Sequence, residues 1–126
     1  MRTIKFKGKC LKNGKWVYGY FYEECGNTYI IEDTQHQRND LCARNIPYRV
    51  IPETVRQFTD NHDKNGKEIY EGDILEFPNS EIELVEFSQS ECGFICGIEP
   101  LGFVPADRAS IIGNIYDNPN LIKRKE

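Results

Sequence analysis

Residues 4–23 alternate with a period of two, and no other feature limits the fold of this chain so tightly. Ile4, Phe6, Gly8 and Cys10 take turns with Lys5, Lys7 and Lys9. Successive side chains on an extended strand point to opposite faces, so the pattern predicts a strand with one small or apolar face and one cationic face. Asn13-Gly14 then suits the positive φ values of a tight type I′ hairpin turn. Residues 15–23 (KWVYGYFYE) return as the second strand, with Trp16, Tyr18, Tyr20 and Tyr22 on one face and Val17, Gly19 and Phe21 on the other. A turn at 24–27 and a strand at 28–32 complete a three-stranded antiparallel meander.

Downstream, residues 33–45 are polar and aperiodic, which predicts a surface loop. Pro47 and Pro52 bracket a short strand at 48–51 suited to a sheet edge. Proline is tolerated in the first turn of a helix, so 52–58 predicts one or two helical turns with Val55 and Phe58 on one side. Asn65-Gly66 marks another tight turn, and short strands follow at 68–70, 74–77, 82–87, 93–98 and 110–116. Gly113 predicts a bulge in the last of them. Many short strands separated by turn signals imply a mainly β chain with one or two short helical turns. The expected architecture is an N-terminal antiparallel meander packed on a small, partly open SH3-like barrel. A length of 126 residues fits a single domain, with possible lobes at 1–58 and 59–126.

Charge is unevenly spread. The net value is −4, yet residues 1–20 carry six cations and no acid, which leaves −10 for the remainder. Glu68, Glu71, Asp73, Glu76, Glu81, Glu83 and Glu86 crowd against Lys67. Overall acidity argues against general polyanion binding, which requires many phosphate-neutralising cations. The asymmetry itself suits head-to-tail association. No apolar run approaches the about 18 residues of a membrane span, and MRTIKFKGK lacks the continuous apolar stretch of a signal peptide. Five scattered cysteines, Cys10, Cys25, Cys42, Cys92 and Cys96, do not form a paired disulfide framework, so the expected setting is cytoplasmic with reduced thiols.

Three stretches, IKFKGKCLKNGKWVYGYFY (4–22), IPETVRQFTDNHDKNGKEIYEGDIL (51–75) and IIGNIYDNPNL (111–121), together resemble the YopX family. The match in order and spacing spans nearly the whole chain and is weakest across 33–46 and 79–108. The resemblance implies a small phage- or prophage-encoded protein of the host cytoplasm, without an established activity, whose members assemble into homo-oligomers. It supplies no catalytic residues to carry over.

The residues themselves offer little chemistry. Cys92 and Cys96 form one pair at metal-ligand spacing, but tetrahedral zinc needs a second, and free thiols are the simpler reading. His36 and His62 lie in polar segments without a nucleophile or phosphate-loop motif nearby, so no enzyme and no cofactor is expected. Glu81 and Glu83 alternate with apolar residues, as the solvent face of a strand would. The remaining candidate surface is Lys5, Lys7, Lys9, Trp16, Tyr18, Tyr20 and Tyr22. Lysines beside rings suit single-stranded nucleic acid, because bases stack on rings while cations track phosphates. The plainer alternatives are lysines guarding an edge strand and an aromatic row that is core or subunit interface. A non-enzymatic module gripping a protein, a second copy or a phage or host partner, is the expected function, with nucleic acid as the alternative.

Overall fold

The computed structural model describes residues 4–32, 47–97, 99–101 and 105–122. The protein is mainly β: two antiparallel sheets of six and five strands, with no helix besides 3-10 turns among the described residues. The chain divides into two compact units, residues 4–57 and residues 58–126 with 1–3.

In the first unit, β1 (Phe6–Lys9), β2 (Trp16–Glu24), β3 (Asn27–Glu32) and β4 (Pro47–Val50) pair antiparallel in chain order, which puts β4 at the sheet edge. Arg56 and Gln57, which open β5 (Arg56–His62), pair with Lys7 and Phe6 on the free side of β1. The meander also curls until the end of β4 returns to β1. Cys10 and Val50 form a bridge, the Leu11 amide donates to the Arg49 carbonyl at 2.8 Å, and the Ile51 amide donates to that of Lys9 at 2.9 Å. Gly8 permits this approach, since a Cβ there would lie 3.3 Å from the Val50 Cβ. The enclosed face buries Cys10, Thr28, Ile30 and Val50. Each fully buried aliphatic side chain stabilises the fold by roughly 2 kcal/mol.

Two local expectations need correction. The β1–β2 connection is not a two-residue type I′ turn. Cys10 donates its amide to the Lys15 carbonyl and Gly14 to that of Cys10, and of Asn13 and Gly14 only Gly14 has a positive φ, 72°. Type I′ needs positive φ at both central residues, so the loop is longer, and Asn13 Oδ1 supports it by accepting the Lys15 amide at 2.9 Å. The helical turn at 52–58 is also shorter than expected: Pro52–Thr54 forms a 3-10 turn, and the chain is a strand from Arg56. Thr54 caps that turn sideways, its hydroxyl donating to the Ile51 carbonyl and accepting the Lys9 amide, while β1 recruits Arg56 and Gln57 as a fresh strand. Ladder bonds made with a distant strand outweigh the local preference started by Pro52. The expected loop at 33–45 lies outside the described residues.

In the second unit, the rest of β5 pairs with β6 (Glu68–Tyr70) across a register shift between Phe58 and Asn61, where Asp60 has a φ of 67°. The five-stranded sheet uses β7 (Asp73–Glu76), β8 (Ile82–Ser88), β9 (Gly93–Cys96), β10 (Glu99–Pro100) and β11 (Ser110–Asn114), in the order β10-β9-β8-β7-β11. Ile69, Leu75, Val85, Cys96, Leu101, Ala106 and Ala109 form its core, with Phe77, Phe94 and Ile111 packed against it. No closed barrel forms among the described strands. The bulge expected at Gly113 is present, as the register slips between Ile111 and Gly113. β11 ends at Asn114, two residues early, because Asn114 Oδ1 accepts the amides of Tyr116 and Asp117 and turns the chain.

Candidate functional site

Directly opposed residues in an antiparallel pair share a face. Lys7 stands opposite Tyr18, and Lys9 opposite Trp16, so the lysines and the aromatic row occupy the same side of the first unit's sheet. Lys7 Nζ lies 4.4 Å from the Trp16 ring centroid and Lys9 Nζ 5.6 Å, within range of cation–π attraction. Tyr22 faces Tyr29 across the ladder, and their rings stack with centroids 5.2 Å apart. Arg56, opposite Lys7, and Arg49, opposite Tyr29, add two cations to this face. Tyr18 and Tyr20 are 44% and 45% exposed, whereas Lys7 is only 7% exposed. Lys5 precedes β1 and stands outside the paired register.

The structure therefore brings together Lys7, Lys9, Trp16, Tyr18, Tyr20 and Tyr22 and overturns one plain reading of the lysines. β1 is no edge strand: Phe6 and Lys7 are paired on both sides. Sequence alternation missed Tyr29, Arg49 and Arg56, which reach this face only through pairing with β2, β3 and β1. The opposite face carries Phe6 and Phe21, whose ring centroids are 4.9 Å apart, above the buried Ile30.

The long motifs of the second unit build turns. Asp63, next to the exposed His62, is buried. Its Oδ1 accepts the amides of Asn65 (2.8 Å) and Lys67 (2.9 Å), and its Oδ2 accepts that of Ile111 (3.1 Å). Burial on its own raises the carboxyl pKa, but these amides and the nearby Lys67 charge outweigh it and hold the group below its ordinary value of 3.8. Asp73 Oδ2 likewise accepts the Tyr70 amide at 2.7 Å. Asn118 Oδ1 accepts the Asn114 amide while lying against Gly113, where a Cβ would collide with it. The strings DKNGKEIYEGDI and IGNIYDNP are thus explained by backbone capping.

Other titratable groups divide simply. His62 is exposed, with its ring edge-on to Phe58 at 5.6 Å. Cys10 and Cys96 are buried, Cys25 and Cys92 exposed. Among the described residues no three His, Cys, Asp or Glu side chains are grouped to hold a metal ion. His36 and Cys42 lie outside those residues. Glu83 departs from the solvent-face expectation, since it stands opposite Leu75 and shares the core-facing side of β8 with Val85. No helix among the described residues is long and apolar enough to cross a membrane.

The fold is that of a two-sheet antiparallel β protein whose polar motifs cap turns. The YopX protein family model matches residues 5–123, and the chain belongs to the YopX family. Among solved structures it is similar to protein EF1440 from Enterococcus faecalis, with a TM-score of 0.60 and 18% identity over 98% of this chain and 100% of that one. That likeness concerns the fold alone. No curated protein matches the chain.

Proposed function

We propose that this protein is a non-enzymatic accessory module of phage type that acts through protein–protein contacts, foremost with further copies of itself. The observation that carries this reading is the exposure of Tyr18 and Tyr20 on a sheet whose other face already buries the unit's core. Contiguous exposed rings flanked by cations suit a contact surface, where tyrosine and tryptophan supply area at low entropic cost. The split between six cations in residues 1–20 and −10 elsewhere supplies complementary patches for self-association. Light scattering across a salt series tests this: an oligomer at low salt that dissociates in Y18S/Y20S is expected, and a monomer at every salt refutes it. We also infer that the five-stranded sheet coils into a partly open SH3-type barrel, supported by the bulge that bends β11 against β7.

A second reading, single-stranded nucleic acid on the same face, is favoured by the register. Lys9 shares the ring side with Trp16, as a stacking platform requires, and the buried Lys7 lies against the same ring. Trp16 is the sole tryptophan, so its fluorescence reports directly. Quenching by oligothymidylate that fades with salt and with Lys9→Ala is expected, and unchanged emission at low salt removes this reading.

A further inference from the structure

We propose that the second unit binds an organic cation, an alkylammonium or guanidinium group, in a pocket whose inner wall holds the Glu83 carboxylate. The pocket has a volume of about 510 Å³ and is lined by Phe77, Pro78 and Pro105 as apolar walls, with Glu81, Glu99 and Arg108 also at its surface. That volume falls in the usual range for small-molecule sites. Glu83 reaches it because β8 turns this residue to the core side, opposite Leu75. Gly97, at φ 71°, lets the carboxylate lie against the backbone, where a Cβ would meet Glu83 Oε1 at 3.0 Å.

Two observations point to an occupant. The three carboxylates outnumber the one guanidinium, and among the described residues no hydrogen bond or ion pair engages the side chains of Glu81, Glu83 and Glu99. A half-buried carboxylate without a partner is costly, and a bound cation would relieve it. Beside it, the Cys96 thiol is 5% exposed, lines the same pocket and has no hydrogen-bond partner among the described residues. The neighbouring apolar walls suit the methylene stem of an alkylammonium or alkylguanidinium group. With no metal-holding trio among the described residues, an organic cation fits the pocket better than an inorganic one.

Titration of the ¹⁵N-labelled full chain tests this, with agmatine, which carries both a guanidinium and an ammonium, as the free small molecule and an end-blocked Gly-Arg-Gly peptide as the protein-borne source. Saturable shifts in the amides of residues 81–83 and 96–97 are expected, weakened at least about tenfold in Glu83→Gln. If both probes act, the pocket accepts arginine side chains; if only agmatine acts, the occupant is a free small-molecule cation. 1-Pentanol should leave those amides unmoved. Should Glu83→Gln melt early, the exposed pair Glu81→Gln/Glu99→Gln replaces it, with roughly threefold weakening expected. No saturable shift from either probe, shifts confined to other residues, or undiminished affinity in the charge-removed variants would overturn the assignment.

Discussion

Asp63 receives the amide of Ile111 from 48 residues away, so one carboxylate ties the 63–67 turn to the last strand of the second unit. Removing it leaves the amides of Asn65, Lys67 and Ile111 without their charged acceptor. Asp63→Ala should cost about 3 kcal/mol, read from urea unfolding, because hydrogen bonds to a buried charged group each contribute about 1.5–3 kcal/mol and do not simply add. A loss below about 1 kcal/mol would show that this carboxylate is not the clasp described.

The same group sets an acid limit. Its folded pKa is lowered, so the stability it supplies is fully present above the ordinary value of 3.8 and is lost as pH falls through the folded value. Denaturation midpoints of the wild type should therefore drop on acidification below that value. Asp63→Asn should show a shallower decline over the same window.

Cys96 gives the alkaline counterpart. Burial, then the negative charge of Glu83, pushes its thiol up from 9.0 to about 11. The folded state holds this proton more tightly, so the contribution is intact below 9.0 and is lost as pH rises through about 11. Thiolate absorbance should titrate at a lower pH in Glu83→Gln. With Cys42 replaced by serine, two thiols, Cys25 and Cys92, should react with a disulfide reagent in the folded protein and two only on unfolding.

Gly113→Ala should destabilise the protein by about 2 kcal/mol, since the new methyl would collide with the Asn118 side-chain amide. Asn118→Ala removes that obstacle along with the acceptor of the Asn114 amide. The double variant should therefore be more stable than the sum of the single losses predicts, which a thermal-melt cycle measures. Strict additivity would contradict the contact.

Much of the fold was legible because the signal was local. The alternation at 4–23 named the strands of the hairpin and the faces of their side chains, and Gly113 announced its bulge. What failed depended on distant partners. Arg56 and Gln57 became a strand because Phe6 and Lys7 offered open ladder positions, information absent from the window around Pro52. Glu83 read as solvent-facing because alternation says which residues share a side without saying which side is inward; Leu75, on another strand, settles that. The candidate face shows the same division. Its ring row was visible in residues 16–22, but the lysines' side, Tyr29, Arg49 and Arg56 required the register.

The return of Val50 to Cys10 has a consequence for synthesis. A growing chain that has emerged only as far as residue 45 holds β1, β2 and β3 but lacks the strand that closes the curl and the residues that flank β1. Until residues 47–57 arrive, the open side of β1 stays unladdered and Gly8 has no Val50 above it. Closure across so long an interval is slow compared with hairpin formation, and exposed strand flanks invite mispairing. The interval between residues 32 and 57 leaving the ribosome is therefore the window in which this half is most vulnerable to a neighbouring nascent chain.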